Sequence, residues 1–417
     1  MAKHRIHEFL SQHNFFAENQ YGFLPQKSTE LALVNFNTLI AKKLDQKNKV
    51  SALFIDIQKA FDTISHAKLL KILENAGIRG KEQSWCKSFL GGRTQITKIE
   101  SILSNSQEIK TGVPQGSVLG PLLFVIYINS IFQGKFKGQL IAFADDTVLI
   151  YFNRTWEENY DQIKHDIILL KTWFCMNDML LNAAKTKFLN FTYTGQCKLP
   201  SEIKYHIYCK IVEQSKSIKY LGIIIDENLN FKLHIESLNK KLKYILSKFY
   251  FVKKILPKFL KRTLYFAMVQ CLLSYGITIW GGLYKTTLSS IVTKQKAFIR
   301  CIEGCGYREH TGQIFKNLKI LTFNELYCVN VSKLIIKNFK SLDIQFNTNR
   351  TNIFIPRVER SLSQRMFFYL GAKIFNCIPE EIKNLSIKIF NKKIKTFFLQ
   401  NNMVNTILAR SFEVPVY

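Results

Sequence analysis

Three aspartates lie beside apolar segments of this chain. Asp145 and Asp146 are adjacent between two strand-forming runs, 140–143 and 147–152, and Asp56 follows another such run upstream. An ionised carboxylate among apolar side chains is costly unless it is paired with a cation or binds a metal ion. If the two strands lie side by side, the three carboxylates meet at one point. Such a cluster suits two Mg²⁺ ions, which bind a few carboxylates together with the phosphate oxygens of a substrate.

The chemistry that two such ions support is phosphoryl transfer. They hold the attacking and leaving oxygens of an in-line displacement, as nucleases and polymerases require. The alternative is a hairpin whose turn contains two aspartates, because Asp is common in turns. The acidic residues alone leave both interpretations open, and the rest of the chain favours the first.

A glycine- and proline-punctuated turn lies between the two acidic segments. It begins the segment 112–124 and leads into an apolar run, 122–128. Glycines allow a backbone to approach a ligand closely, and the Gln115 amide offers donors and an acceptor beside that backbone. Its place between the acidic strands indicates a ligand-binding turn.

Six segments follow one another in order, and two more lie downstream. They are Asn19-Gln20-Tyr21-Gly22-Phe23 with Ser28-Thr29, then 54–64, 112–124, 143–146, 181–187 and 219–222, followed by Ser274-Tyr275-Gly276 with Trp280-Gly281 and by Asn376-Cys377-Ile378-Pro379. In this order they resemble the finger motif, motif A (54–64), motif B (112–124), motif C (143–146), motif D (181–187), motif E (219–222) and the C-terminal blocks of the reverse transcriptases of non-LTR (LINE-type, Jockey-like) retrotransposons.

The resemblance implies an RNA-directed DNA polymerase that extends a primer 3′-hydroxyl with deoxynucleoside triphosphates (dNTPs) on an RNA template. The implied cofactor is a pair of Mg²⁺ ions, with Mn²⁺ as a substitute. Asp56 and Asp145 are the implied direct metal ligands, Asp146 acts mainly through charge and geometry, and the backbone carbonyl of Ile57 is an extra ligand. The implied partners are the RNA template, the DNA primer or target and dNTPs, and the family implies access to the nucleus.

The resemblance also assigns a nucleotide pocket. Phe61 occupies the position whose bulky side chain excludes the 2′-hydroxyl of a ribonucleotide; a core aromatic residue is the alternative. Gln115 and Gly116 line the pocket beside the template or the incoming base. Where the family usually has an arginine after Gly-Phe, this chain has Leu24-Pro25. Lys27 is the nearby candidate for binding the triphosphate.

Further roles follow from motifs D and E. Lys185 is the implied general acid for the pyrophosphate leaving group; an exposed surface lysine is the alternative. The implied primer grip is Tyr220, Leu221 and Gly222. Asp62 is interpreted as structural, for example as the cap of the helix that follows it.

The chain is strongly basic. Its 59 Lys and Arg residues outnumber 30 Asp and Glu residues, for a formal net charge of +29. Residues 229–300 contain 14 Lys and Arg but one acid, Glu236, and lysines there alternate with aromatic residues. Such a segment after a polymerase core suits a helical thumb that binds an RNA–DNA hybrid through phosphates and shape. A solvated helix face is the alternative.

Two features could suggest a metal-binding site or a membrane-spanning helix. Cys301, Cys305 and His310 form a tight cluster among nine cysteines, but no fourth ligand is evident, so we interpret them as free intracellular thiols. The uncharged run 264–283 is long enough to span a bilayer. Its glycines and polar residues favour a buried helix that ends near Tyr275-Gly276, and therefore no membrane partner.

The elements predict an α+β fold, namely a right-hand polymerase with partial fingers, an antiparallel palm sheet with helices, a helical thumb and a mostly helical C-terminal extension. The predicted divisions are fingers and palm at 1–228, thumb at 229–300 and an element-specific region at 301–417. Predicted helices include 7–16, 30–44, 156–176, 318–326 and 363–375, and predicted strands include 187–192 and two more within 196–228.

The chain begins shortly before the finger motif. Family members normally carry an earlier finger block, with a basic residue for the triphosphate, and an upstream endonuclease. We therefore expect an N-terminally truncated enzyme with intact catalytic aspartates. One alternative is a catalytically impaired remnant that still binds nucleic acid through the basic thumb. Another is a related intron-encoded or telomeric reverse transcriptase.

Overall fold

The computed structural model describes residues 2–193, 205–208, 210–339, 342 and 352–400. The chain divides into two compact units. The first is formed by residues 1–32 and 48–216, and the second by residues 33–47 and 217–417.

The first unit combines helices with short and long strands. The helices up to residue 176 are α1 (Ala2–Gln12), α2 (Thr29–Asp45), α3 (His66–Asn75), α4 (Gly80–Leu90), α5 (Gly120–Ile128) and α6 (Trp156–Met176), with a 3₁₀ turn at Asn129–Gln133. The strands are β1 (Lys49–Ile55), β2 (Ile57–Gln58), β3 (Thr94–Gln95), β4 (Lys98–Ile99), β5 (Ile102–Leu103), β6 (Gln107–Glu108), β7 (Gln139–Phe143), β8 (Asp146–Asn153), β9 (Leu180–Leu181), β10 (Lys187–Phe191), β11 (Tyr205–Ile207) and β12 (Lys210–Gln214). Helix α2 begins in this unit and continues into the second.

The main sheet is built around β1. Within the described residues its order is β11-β12-β10-β1-β8-β7. Every neighbouring pair is antiparallel except β10 and β12. Residues 50–55 of β1 are all buried, as expected for a central strand with both faces covered. The predicted antiparallel palm sheet is confirmed, with one parallel pair added at its margin.

Two helices contribute side chains to the same hydrophobic core as this sheet. Every residue of α5 from Leu122 to Ile128 is buried, since a helix that is apolar on all sides must lie in a core. Helix α6 packs against β1 and β8 and begins with a capping box in which Thr155 and Glu158 satisfy each other's backbone N–H groups. The predicted helix 156–176 is confirmed.

The second unit is mostly helical. It contains the hairpin strands β13 (Ser217–Tyr220) and β14 (Ile223–Asp226), then α7 (Lys232–Val252), α8 (Lys258–Leu264), a π-helix (Tyr265–Gln270), α9 (Cys271–Ser274), α10 (Ile277–Trp280), α11 (Lys285–Glu303), α12 (Gly312–Asn317) and α13 (Phe323–Asn338). It continues with a 3₁₀ turn (Ser363–Arg365), a π-helix (Phe367–Gly371), α14 (Ala372–Asn376), α15 (Glu380–Lys383) and α16 (Ile387–Gln400). Helix α7 packs along α11, and α13 packs against α10, α14 and α16.

The uncharged run 264–283 lies inside this unit. The helix ends at Ser274, and Gly276 takes a left-handed conformation with φ of +60° before α10 begins. Trp280 is fully buried in the core. The predicted helix end near Tyr275-Gly276 is confirmed, but the helix is buried along one face only. Tyr265, Val269 and Leu273 are buried, whereas Met268 and Cys271 are exposed. In the part of the chain that the structure describes, no helix combines the length and apolarity needed to cross a membrane.

Several predicted boundaries are wrong. Helix α1 covers Ala2–Gln12 rather than 7–16, because Asn14 at φ +51° and a bond from Phe15 N to Leu10 O form a Schellman-type end. The predicted helix 318–326 is interrupted, since Lys319 has φ +52° and a capping box at Thr322 starts α13.

Two other segments differ in their detailed structure. The range 196–228 contains four strands among its described residues instead of two, and residues 194–204 and 209 lie outside the described ranges. The predicted helix 363–375 is interrupted at Met366, whose extended backbone (ψ of 158°) separates a 3₁₀ turn from the π-helix and α14 that follow.

Candidate active site

Asp56 lies at the end of the central strand. In the register of β1 with β8, Ile55 faces Thr147. The next residue on each side of that pair is an aspartate, Asp56 on one strand and Asp146 on the other. The pairing of the two strands therefore brings the upstream and downstream acidic segments to the same end of the sheet.

The other two aspartates lie on the β7–β8 hairpin (residues 139–153), called here the catalytic hairpin because it carries two of the three candidate catalytic aspartates. Phe143 pairs with Asp146, so that Ala144 and Asp145 form a two-residue turn. Ala144 has φ of +55°, a left-handed conformation that residues with a Cβ rarely adopt. Sparsely populated backbone conformations of this kind persist where the surrounding structure enforces them.

The three carboxylates interact electrostatically. Desolvation raises the pKa of Asp146 to about 6, and the charges of Asp145 and Asp56 act in the same direction. Desolvation also raises the pKa of Asp145, with a contribution from Asp56. Within the described residues, no Lys, Arg or His forms an ion pair with any of the three. The cluster therefore has an excess of negative charge.

Such an excess fits a divalent cation that binds together with a substrate. Among the described residues, no group of three or more His, Cys, Asp or Glu side chains is arranged so that it could hold a metal ion. Mg²⁺ in phosphoryl-transfer sites is usually held by one or two carboxylates, with waters and substrate phosphates completing its shell. The donor set fits ions of this kind.

The motif D turn holds the backbone of Asp56. The Asn182 N–H donates to the Asp56 carbonyl at 2.9 Å. The Thr186 hydroxyl accepts from the Asp56 N–H at 3.3 Å and donates to the Asn182 carbonyl at 2.9 Å. Lys185 is exposed on the same turn, and Ile57 pairs with Leu181 in the short β2–β9 ladder. The structure therefore places Lys185 on the turn that fixes Asp56.

The turn with motif B is joined to the segment after Asp56. Gly112 N–H donates to Ile64 O at 2.8 Å, and Val113 N–H donates to Phe61 O at 2.9 Å. Gly112 has φ of +84°, and a Cβ there would lie 2.8 Å from the Asp62 Cα, so this approach requires glycine. The Phe61 ring is half-buried and stacks on Phe124 with 4.4 Å between centroids.

Gln115 and Gly116 are both exposed on this turn. The Gln115 Nε2 donates to Asp62 Oδ1 at 2.8 Å. The interpretation of Asp62 as the cap of α3 is wrong, because Ser65 is the N-cap and its hydroxyl accepts from the Lys68 N–H. Asp62 instead anchors the side chain of Gln115.

The finger motif lies directly on the catalytic hairpin. The Tyr21 N–H donates to Ala142 O at 2.7 Å, and the Ala142 N–H donates to Asn19 O at 3.0 Å. Gln20 is fully buried, and its Oε1 accepts from the Ala144 N–H at 3.0 Å. Sequence reasoning recognised this motif by its order but missed this contact, for which the spacing of the residues gives no signal.

Lys27 is bound within the finger segment itself. Its Nζ donates to the Glu18 carbonyl at 2.8 Å and lies 4.7 Å from the centroid of the Tyr21 ring. Burial lowers its pKa, although Glu18 opposes that shift.

The predicted primer-grip residues lie in the second unit. Tyr220 pairs with Ile223, and Leu221 and Gly222 form a two-residue turn with φ of +45° and +82°. The Tyr275 hydroxyl donates to Leu221 O at 2.6 Å. The motif E turn is therefore braced by the Tyr-Gly block downstream.

The cysteine cluster of the sequence lies elsewhere in this unit. Cys301 is buried, Cys305 is half-buried, and both are free thiols. Burial raises the pKa of the Cys301 thiol. Cys197 and Cys209 lie outside the described residues.

Comparison with known proteins shows the family of the chain. The family described as "Reverse transcriptase (RNA-dependent DNA polymerase)" matches residues 1–225, which is more than half of the chain. The chain belongs to the reverse transcriptase family. Its right-hand polymerase fold class is thereby confirmed, and the family generally depends on divalent metal ions.

Individual curated relatives show which group of reverse transcriptases the chain resembles. The chain is 28% identical over 331 residues to the probable RNA-directed DNA polymerase from transposon X-element of Drosophila melanogaster, covering 77% of this chain and 36% of that protein. It is 27% identical over 311 residues to the RNA-directed DNA polymerase from mobile element jockey of Drosophila funebris, covering 72% and 33%. The chain thus spans about a third of the length of these relatives. The predicted resemblance to non-LTR retrotransposon reverse transcriptases is confirmed.

Solved structures with a similar chain path include telomerases. The telomerase of Candida albicans, in complex with a fragment of telomeric RNA, is 13% identical with a TM-score of 0.43, over 96% of this chain and 57% of that one. The apo telomerase of Candida tropicalis is 12% identical with a TM-score of 0.42, over 80% and 58%.

Proposed function

We propose that this chain is an RNA-directed DNA polymerase of a non-LTR retrotransposon, which extends a DNA primer on an RNA template with dNTPs. The observation that carries the proposal is the convergence of Asp56 with the catalytic hairpin. The charge of Asp56 contributes to the raised pKa of both Asp145 and Asp146. None of the three has a cationic partner among the described side chains.

The aspartates have distinct roles in this proposal. Asp56 and Asp145 would ligate two Mg²⁺ ions, with the Ile57 carbonyl as a further ligand, and Asp146 contributes charge and hairpin geometry. Mn²⁺ is a suitable substitute. When bound, the ions supply Lewis-acid stabilisation of the attacking 3′-oxygen and the leaving pyrophosphate. The hydrogen bond that Asn182 donates to the Asp56 carbonyl, and the one that the Thr186 hydroxyl accepts from the Asp56 N–H, would keep the Asp56 backbone in place for that purpose.

Selection of deoxynucleotides would depend on Phe61. Its ring is half-buried, stacks on the fully buried Phe124 and meets the Phe23 ring edge-on with 6.2 Å between centroids. A ring held from behind by the core cannot move aside cheaply, so it would exclude a 2′-hydroxyl by contact. Gln115, oriented by Asp62, and Gly116 would contact the template or the incoming base.

The remaining assignments concern the triphosphate and the primer. Lys185 would donate the proton to the leaving pyrophosphate; its exposure on the turn that fixes Asp56 supports this role. Lys27 would approach the triphosphate after release from the Glu18 carbonyl, and Tyr220-Leu221-Gly222 would contact the primer.

Hybrid binding would reside in the basic helices of 229–300. On α7, the lysines at 232, 240, 241, 243 and 248 are all exposed, and the helix carries one acidic residue, Glu236. Exposed lysines with few acidic neighbours are suited to neutralising phosphates, which is the main source of affinity for a nucleic-acid backbone. An RNA–DNA hybrid is therefore the proposed ligand of this surface.

Primer extension on poly(rA)/oligo(dT) with dTTP and Mg²⁺ tests the proposal. We expect extension by the wild-type chain and a loss on the order of 10³-fold for Asp145→Asn, since a catalytic metal ion contributes several kcal/mol of transition-state stabilisation. Asp161→Asn, which changes an exposed aspartate on α6, is the matched control and keeps full activity. Equal extension by wild type and Asp145→Asn, or no extension by wild type, would overturn the proposal.

A further inference from the structure

Residues 19–22, called here the strap, cross the outer edge of the catalytic hairpin. Strand β7 is the last strand in the order of the main sheet. Gln20 and Ala142 form a parallel bridge, with the strap both donating to and accepting from Ala142. The strap therefore extends the sheet beside β7 at the point where the chain turns toward Asp145.

The Gln20 side chain continues this contact into the turn. Its Oε1 accepts from Gly22 N–H at 2.8 Å and from Ala144 N–H at 3.0 Å, and the side chain has no exposed surface. Ala144 is the residue with φ of +55°. One carbonyl oxygen thus satisfies the strap and the strained residue immediately before Asp145.

The backbone of Gly22 packs directly against the same turn residue, Ala144. A Cβ at this position would lie 2.3 Å from Ala144 N and 2.9 Å from Ala144 Cα. The strap can therefore lie on the turn only because residue 22 is glycine. Side chain and backbone act together to fix the conformation of the turn.

We propose that Gln20 is a positioning residue for the catalytic hairpin, holding Ala144 so that Asp145 and Asp146 present their carboxylates to the metal ions. The inference deepens the proposed polymerase function and rests on it. In the part of the chain that the structure describes, Gln20 Nε2 has no hydrogen-bond partner. The acceptor oxygen, rather than the whole amide, therefore performs the positioning.

Because only the oxygen of the Gln20 amide is hydrogen-bonded, two matched variants can test the role of that oxygen. Gln20→Met keeps the length and shape of the side chain but removes the acceptor, so two buried N–H groups lose their partner. Gln20→Glu keeps an acceptor oxygen at the same reach and replaces the unpaired Nε2 with a second oxygen. We expect Gln20→Met to be clearly impaired and Gln20→Glu to recover much of the function, although its added charge costs part of the gain.

The first readout is metal binding and does not depend on turnover. Mn²⁺ binding to the full chain without nucleotide, followed by electron paramagnetic resonance, should weaken about tenfold in Gln20→Met, as for residues that orient metal ligands. The second readout is primer extension, in which kcat should fall and the Mg²⁺ requirement rise while the KM for dTTP stays unchanged. The affinity for a poly(rA)/oligo(dT) hybrid should also stay unchanged.

Asn129→Leu is the control for a general loss of packing. Asn129 is also a buried amide that fixes the N-terminal segment, since its Oδ1 accepts from Ala17 N–H and its Nδ2 donates to Phe15 O. This variant should lose thermal stability and keep the wild-type Mn²⁺ affinity. If Gln20→Met binds Mn²⁺ as wild type does, or if it matches Asn129→Leu or Gln20→Glu in both readouts, the inference is overturned.

Failure of the proposed function would look different. A wild-type chain that binds Mn²⁺ but extends no primer, together with weakened binding in Gln20→Met, would overturn the polymerase assignment and support the positioning role. A wild-type chain that extends its primer, together with unchanged binding and kcat in Gln20→Met, would support the polymerase and overturn the positioning role.

Discussion

The catalytic hairpin in the first unit and helix α7 in the second carry charge in opposite ways. At the hairpin, carboxylates crowd together at a partly desolvated site, and the pKa of Asp146 rises to about 6. On α7, five lysines are exposed to solvent along one helix with a single acidic residue. Exposed charges are screened by water and salt, whereas partly buried charges are screened much less. A single substitution should therefore change much at the hairpin, while on α7 the charges count mainly as a sum.

The buried side of α7 sharpens this contrast. His234 lies on that helix and accepts weakly from the Ile224 N–H at 3.4 Å. Burial lowers its pKa to about 4, with Lys241 adding to the shift. Desolvation thus favours the neutral form in both regions, but it raises the pKa of an acid and lowers that of a base. The stability of the two regions should depend on pH with opposite signs.

In this comparison of the two regions, the largest effect is expected for Asp146→Asn. Primer extension should fall on the order of 10² to 10³-fold, because charge at the metal site is lost. Stability without metal should change in the other direction. The pKa of Asp146 is raised from 3.8 to about 6 on folding, so the stabilisation is fully present below pH 3.8 and is lost as the pH rises to about 6. At pH 7.5 the Asp146→Asn variant, which has no charge at this position, should therefore be more stable than wild type.

Thermal denaturation in EDTA across pH 4 to 7.5 measures this difference. The variant should gain on the order of a few degrees at pH 7.5 and little at pH 4. Asp161→Asn provides the control, because Asp161 is exposed. A variant less stable than wild type at pH 7.5 would show that Asp146 makes a stabilising contact as a carboxylate, and the contrast with α7 would disappear.

A smaller effect is expected for His234→Gln. The folded-state pKa of His234 is lowered from 6.5 to about 4, so its contribution to stability is present above pH 6.5 and is lost as the pH falls toward 4. The wild-type chain should lose stability over that range to a greater extent than the variant. Hydrogen exchange of the amides in β14, followed from pH 7 to 4.5, reports on this region directly.

His206→Gln is the matched control for that experiment. His206 is exposed in the first unit, and its replacement should leave the exchange of β14 unchanged. Identical pH dependence of β14 in wild type and His234→Gln would mean that other groups control acid unfolding of the second unit.

The sequence indicates the candidate catalytic residues more clearly than the contacts that hold them. Asp56, Asp145 and Asp146 are recognisable because an ionised carboxylate beside apolar strand residues is costly unless it is paired or binds a metal ion. The order of the motifs predicts the fold class. The contact between Gln20 and Ala144 joins residues far apart in the chain, and many buried glutamines have other partners. No local pattern distinguishes among those partners. The same reason explains why Asp62 was misread as a helix cap instead of the anchor of Gln115.

The sequence also failed to predict strands that have no buried face. The arm formed by β3–β6 and β4–β5 is exposed along its whole length, so it lacks the alternation of apolar and polar residues that signals a strand. Boundaries failed where single residues in left-handed conformations, such as Asn14 and Lys319, ended or interrupted a helix. Side-chain type predicts such conformations weakly for residues other than glycine.

Substitutions of single lysines on the exposed face of α7 are expected to have the smallest effects. Lys240→Gln and Lys243→Gln should each weaken binding of an RNA–DNA hybrid only modestly, and by the same factor for hybrids of different sequence, because phosphate contacts carry no sequence information. Each lysine that contacts a phosphate should lower the slope of log affinity against log salt concentration by about one. Fluorescence anisotropy at several salt concentrations measures both quantities, and Glu236→Gln on the same helix is the control, which should raise affinity slightly. The kcat on saturating template should remain at the wild-type value. A single lysine substitution that abolished binding would show that α7, like the catalytic hairpin, depends on one charge, and the distinction between the two regions would fail.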